Sequence, residues 1–256
     1  MSESIIIILL MILGLVFGSF FCCMGYRIPN KMKTIFARSV CPKCNKELKW
    51  YMNIPVLSFI FLKGKCAYCK KSIDFIYPFV EITTALLFVA NYILFDFSYE
   101  FWISMIITSM LMVTIVSDFI YFYISDRVLL LGGVSLITVM YLFNGFDFTF
   151  NHLISAIIIF VIMIIIKLIG NFALKKESIG DGDIKLMGII ALALGLTNSF
   201  ICLFIGSLLG LVFSAIISKK SKEGIIPFGP FLLIGALITI YFSTFIEIFI
   251  NNLIYF

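Results

Sequence analysis

Long apolar runs recur from one end of this sequence to the other, and they leave the backbone few options. Inside lipid no water can satisfy an N–H or C=O group, so a spanning segment pairs its own backbone and becomes a helix. The runs fall at about 5–26, 77–95, 100–118, 128–145, 151–170, 184–197, 199–217 and 228–250. Most approach the ~20 residues that cross a hydrocarbon core. The 184–197 run is shorter and reads as tilted, buried or partly re-entrant. Only 13% of the 256 residues are charged, about half the share usual in a soluble domain. The expected fold is an all-α polytopic membrane protein with about eight transmembrane helices.

The first run has no positive charge before it and a cluster of positives after it, with no A-x-A-like cleavage site. It reads as a retained helix, residues 1–26, and not as a removed signal peptide. Gly14 and Gly18 make a GxxxG pair, which suits close helix packing better than a ligand. Residues 27–76 turn polar and basic, with eleven Lys and Arg from Arg27 to Lys71. They are the only stretch large enough for an extramembrane domain, and residues 77–256 form the remaining membrane part.

The other positives are Arg127, Lys167, Lys175, Lys176, Lys185, Lys219, Lys220 and Lys222. With eight spans, all nineteen Lys and Arg fall on the side of the 27–76 domain. The opposite connectors, Asp96–Glu100 and Asn144–His152, contain none. The positive-inside rule makes the basic side cytoplasmic and puts both termini outside. The net charge of +5 thus reports topology, and no nucleic-acid partner is expected. His152, the lone histidine, reads as a solvated residue of an outer loop.

Four of the seven cysteines form two pairs, Cys41-Pro42-Lys43-Cys44 and Cys66-Ala67-Tyr68-Cys69, with 21 residues between them. Four thiolates at this spacing suit a closed, tetrahedral, structural zinc site. A redox CxxC or free thiols are the alternatives, while a reducing cytoplasm disfavours disulfides. A domain of about fifty residues also needs a staple, because its own core is marginal. A small cytoplasmic zinc-binding domain after the first helix is therefore expected. Cys22, Cys23 and Cys202 lie in apolar runs and read as small hydrophobes.

Ionisable groups at the edge of a membrane are candidate functional residues. Gly180-Asp181-Gly182-Asp183 lies between two apolar runs, and Ser117-Asp118 ends another. All come out on the basic side, where helices distant in sequence can bring carboxylates together. Two such groups sharing one proton, with a water between them, can hydrolyse a peptide. Glycines beside them let a substrate backbone approach. Asp126, eight residues past Asp118, and Asp181 are rivals that spacing alone does not separate. Lys185 either steadies the charge of the pair or sets topology.

These residues carry a resemblance. The chain resembles the bacterial type 4 prepilin peptidases, the leader peptidase and N-methyltransferase family among the GxGD aspartic proteases. The likeness runs from Gly14-Leu15-Val16-Phe17-Gly18-Ser19-Phe20 and Tyr26-Arg27-Ile28-Pro29 through Arg38-Ser39 and the two CxxC pairs. It includes Trp50-Tyr51-Met52-Asn53-Ile54-Pro55, Gly64-Lys65-Cys66 and Tyr77-Pro78-Phe79-Val80-Glu81. The Asp118 segment, Gly180–Lys185 and Pro227-Phe228-Gly229-Pro230-Phe231 complete it. The resemblance implies that Asp118 and Asp183 are the catalytic dyad, with Asp126 the second Asp of a D-x7-D segment. Ser125 stands where that segment usually has proline.

The resemblance further implies cleavage of the basic leader of type IV prepilins or pseudopilins at the cytoplasmic face of the bacterial inner membrane. Methylation of the new amino terminus from S-adenosylmethionine would follow. No glycine-rich nucleotide fingerprint marks the methyl-donor site; Arg38, Asn53, Lys65 and Glu81 are candidates for it. Two other classes remain open. A carboxylate-relay transporter predicts transport that needs the same aspartates, although no inverted repeat is evident. A zinc-domain scaffold predicts that only the cysteines matter.

Overall fold

The computed structural model describes residues 3–34, 38–217 and 227–243, with 245, 246 and 248. Among these residues the chain forms seven α-helices and no strand beyond two isolated bridges. Helix α1 is Glu3–Arg27. A polar segment follows, with a 3₁₀ turn at Trp50–Asn53 and the short α2, Leu57–Phe61. Then come α3 (Ile76–Phe95), α4 (Tyr99–Tyr121), α5 (Asp126–Leu174), α6 (Asp181–Ile217) and α7 (Gly229–Tyr241). Helices α1, α3, α4, α5 and α6 are long and apolar enough to cross a membrane. The chain is a multi-pass membrane protein.

Helix α5 has 49 residues, about 74 Å if straight at 1.5 Å each, more than twice a hydrocarbon core. It does not run straight. Gly145 sits at φ 80°, ψ −172°, a conformation that glycine adopts without a side-chain clash. Gly133 before it and the Ala156–Phe160 turn after it both pack at one level of α6, beside Ile189 and Gly188. The helix therefore doubles back at Gly145. Helix α6 does the same at Gly195, φ 74°: Gly182 near its start and Gly210 near its end approach Ile124 and Phe228, which neighbour one another through Gly229. The expected outer loop Asn144–His152 is thus helical apart from one residue.

His152 is corrected with it. It lies inside α5, half-buried, with Nδ1 2.8 Å from the Leu192 carbonyl oxygen and its ring stacked on Phe148. That contact satisfies a carbonyl freed by the break at Gly195.

Helix α4 is the hub, touching α1, α3, α5 and α7. Ile107, Met112 and Val116 are buried on it, against a core that includes Leu136, Met187 and Leu232. The outer faces are apolar and bare: Leu142, Phe204 and Leu211 are all well exposed. A soluble monomer rarely shows such continuous apolar surface, and a bilayer covers it. Helix α1 lies close on α3, where a Cβ on Gly14 would meet Ala85 Cα at 2.5 Å and one on Gly18 would meet Glu81 Cα at 2.7 Å. The GxxxG pair therefore serves packing. Inside the bundle, Tyr241 donates to Asn91 Oδ1 at 2.6 Å and Asn91 donates to Thr108 at 3.3 Å, joining α7, α3 and α4. Lys219, Lys220, Lys222 and most of the run beyond 243 lie outside the described residues.

Candidate active site

The two cysteine knuckles fold alike. In each, the first cysteine's carbonyl accepts an N–H four residues on, from Asn45 at 2.8 Å and Lys70 at 3.0 Å. Both donors sit at positive φ, 56° and 58°, just past the second cysteine, where the chain turns back to the first. Bridges Val40–Glu47 and Lys65–Ser72 close the two loops. The sulfurs of Cys41, Cys44, Cys66 and Cys69 come within 4.8 Å of one another. Four Zn–S bonds of ~2.3 Å in a tetrahedron place sulfurs ~3.8 Å apart, so the cluster fits a metal ion with small adjustment. Burial pushes the Cys41 thiol up, while the Cys69 backbone amide pulls Cys66 down to about 7.

The four aspartates separate by environment. Helix α4 ends just past Asp118, where Phe122 adopts φ 50° and its N–H returns to the Asp118 carbonyl at 2.9 Å. Asp118 is 5% exposed. Its Oδ2 accepts the Gly229 N–H at 3.1 Å, from the first residue of α7. A Cβ on Gly229 would meet Ile124 Cδ1 at 2.8 Å and Asp118 Oδ2 at 3.1 Å, so only glycine fits without displacement.

Asp183 lies in the first turn of α6. It is half-buried, and its Oδ1 is buried without a hydrogen-bond partner. Asp183 and Asp118 come to the same end of the bundle. The Ile124 side chain lies against Gly182 on one side and Gly229 on the other. Neither carboxylate forms an ion pair among the described residues.

Asp126 and Asp181 are exposed and ion-paired instead. Lys185 Nζ lies 2.7 Å from Asp126, and Lys167 Nζ lies 2.6 Å from Asp181 and 3.2 Å from Glu177. Lys185 therefore engages Asp126 and does not steady Asp183. Ser125 starts α5 with extended backbone and makes no side-chain cap; its hydroxyl is buried without a partner. Among the residues sequence reasoning missed, Gly229 stands out. Its motif was visible, but its contact with a residue 111 positions away was not.

A second feature adjoins the first. A cleft of about 440 Å³ lies between the four-cysteine segment and helices α1, α3 and α4, and it ends at Ile120 and Tyr121. The candidates Asn53 and Glu81 line it; Arg38 and Lys65 do not. Arg38 forms an exposed ion pair with Glu47 at 2.9 Å.

Fold and site together define a helical integral-membrane protein with a four-cysteine cluster in the polar segment after its first helix. Residues 105–215 match the Type IV leader peptidase family, and residues 12–95 match the Bacterial Peptidase A24 N-terminal domain. The chain is 32% identical to the prepilin leader peptidase/N-methyltransferase of Bacillus subtilis, over 90% of this chain and 92% of that one. It is 29% identical to the protein so named from Neisseria gonorrhoeae, over 88% and 86%. The type 4 prepilin-like proteins leader peptide-processing enzyme of Escherichia coli O78:H11 is 28% identical, over 89% and 91%. No solved structure matches. The chain belongs to the type IV leader peptidase family and is an enzyme.

Proposed function

We propose that the chain is a membrane aspartic endopeptidase that removes the basic leader of type IV prepilins or pseudopilins and then N-methylates the new amino terminus. Asp118 and Asp183 form the dyad. The carrying observation is the contrast among the four aspartates: these two lie on either side of Ile124 and form no ion pair among the described residues, whereas Asp126 and Asp181 are held by lysines. All three relatives bear processing-enzyme names, which favours a peptidase over a carboxylate-relay transporter.

The Gly229 amide holds one oxygen of Asp118 in place. Asp118 is then the base that takes a proton from water. Asp183, with an oxygen lacking any partner, carries the shared proton and gives it to the carbonyl oxygen. The water oxygen attacks the carbonyl carbon, and the tetrahedral intermediate expels the amine, which leaves with the proton held by Asp118. Asp183 recovers its proton from the collapsing hydroxyl.

The same reading counts eight spans, because α5 and α6 each turn back once and α7 adds one. Residues 1–26 are the first span, 27–76 a cytoplasmic domain stapled by zinc on Cys41, Cys44, Cys66 and Cys69, and 77–256 the peptidase domain. Zinc is the ion that four thiolates favour, and it acts here as a fold element. Active site and zinc domain face the cytoplasm of a bacterial inner membrane, with both termini outside. S-adenosylmethionine is the methyl donor.

The test is incubation of the purified full chain with a prepilin-type substrate in lipid, followed by intact mass of the product. Loss of the leader with a gain of one methyl group on the new terminus supports both activities. Release without methylation removes the second, and an intact substrate removes the first.

A further inference from the structure

The loop between the two cysteine pairs contains a run that its basic surroundings conceal. From Trp50 to Leu62 there is no charged residue, and Lys49 and Lys63 stand at its two ends. The run forms the 3₁₀ turn and α2. The protein leaves its large apolar side chains uncovered: Trp50 is 79% exposed and Phe61 80%, with Leu57 and Ile60 more than half exposed. Lys49 and Lys63 are exposed as well. A domain surrounded by water rarely leaves such side chains bare together.

Two contacts give the depth of the run along the spanning helices. Trp50, Ile54 and Pro55 wall a cleft with Val16 and Phe20 of α1, and those two are themselves exposed on the outer side of the helix. Phe20 lies seven residues before the end of α1 at Arg27, about 10 Å along the helix. Val56 donates its N–H to Glu81 Oε2 at 2.7 Å. Glu81 lies five residues past the start of α3 at Ile76, about 8 Å along. Interfacial segments bury their apolar face ~5–10 Å into the headgroup–acyl boundary, and both helices place the run at that depth. The Glu81 contact also satisfies an irregular backbone N–H where lipid offers no acceptor.

We propose that residues 50–61 sit in the membrane as an interfacial anchor, with phospholipid as the partner. Trp50, Leu57, Ile60 and Phe61 lie among the upper acyl chains of the leaflet where α1 ends. Lys49 and Lys63 run their stems along that surface and reach the phosphates. Trp and Tyr favour this level, since each has an apolar ring and a polar tip, and Tyr51 packs edge-on against Trp50 at 5.9 Å. The apolar surface is continuous with Val16 and Phe20, which the bilayer already covers, so no second protein is needed to cover it. The anchor ties the loop between the cysteine pairs to the bilayer as well as to α1 and α3. It follows from the spanning helices alone, whatever reaction the chain catalyses.

The experiment uses the full chain in phospholipid bilayers. Trp50 and Trp102 are its two tryptophans, so Trp102→Phe leaves Trp50 as the one indole reporter. Its emission is compared in ordinary lipid and in lipid brominated near the top of the acyl chains, which quenches on contact. Emission is expected to fall by about half or more in the brominated bilayer, as for a ring held at the interface. Emission that does not fall overturns the proposal. Access to aqueous iodide then means that Trp50 faces water, and protection from iodide that a second copy of the chain covers it. Should Trp102→Phe not insert, a phospholipid with a photoreactive acyl chain decides with the wild type. Label on the peptide between Lys49 and Lys63 supports the anchor, and label on the helices alone overturns it.

Discussion

Asp118 and Asp183 differ from Asp126 and Asp181 in their surroundings far more than in their sequence context. Each of the second pair has a lysine, Lys185 from 59 residues away and Lys167 from 14. Those partners become neighbours only when α5 and α6 pack, so spacing could not separate the four. Gly229 gives the sharpest prediction at this scale. Its amide fixes Asp118, and there is no room for a Cβ. Gly229→Ala is expected to lower kcat for leader cleavage by about 10²-fold with KM changed little, as expected when a reacting group is displaced. Steady-state kinetics checks it; a KM effect with normal kcat would mean that Gly229 serves substrate binding alone.

At the level of elements, the apolar runs were legible because lipid demands them, and their ends at 145 and 197 fall close to the breaks at Gly145 and Gly195, but the form of those joints was not legible. The expected outer loop at 144–152 is a single glycine turn at Gly145, and the next turn is Gly195. A lone glycine in an apolar run reads the same as a packing glycine until its φ is known. The GxxxG pair, by contrast, does what its pattern predicts, bringing α1 onto α3. Gly14→Leu is expected to cost about 1–3 kcal/mol by overpacking that seam, measured as thermal unfolding in detergent; unchanged stability would mean that the helices separate freely. Lys185→Ala removes a half-exposed pair and is expected to cost under about 1 kcal/mol in the same assay.

Across the whole molecule, a cleft joins the cysteine segment to helices α1, α3 and α4, with Cys41, Cys66 and Tyr121 among its walls. The four cysteines were legible from spacing alone, because a metal needs its ligands in number and order. The cleft was not, since its walls come from α1, α3, α4 and the polar segment at once. Metal binding requires thiolates, so affinity falls as pH falls. Cys66, drawn down to about 7 by the Cys69 amide, lies nearest that transition among the cysteines with resolved shifts. One zinc per chain is expected, lost to a chelator faster at pH 6 than at pH 8, with protease cuts appearing between residues 38 and 74. Metal analysis and limited proteolysis check this; a chelator-treated chain that resists cutting would show that the domain folds without metal.

Single substitutions at the four aspartates test most directly which carboxylates do the chemistry. Four single variants, Asp118→Asn, Asp183→Asn, Asp126→Asn and Asp181→Asn, are compared for leader cleavage in one membrane preparation with insertion verified. Asp118→Asn and Asp183→Asn are expected to lose about 10²–10⁴-fold in rate. Asp126→Asn and Asp181→Asn should stay within about fivefold, as exposed pairs do. Near-normal cleavage by either of the first two, in a protein that has inserted, would contradict the account.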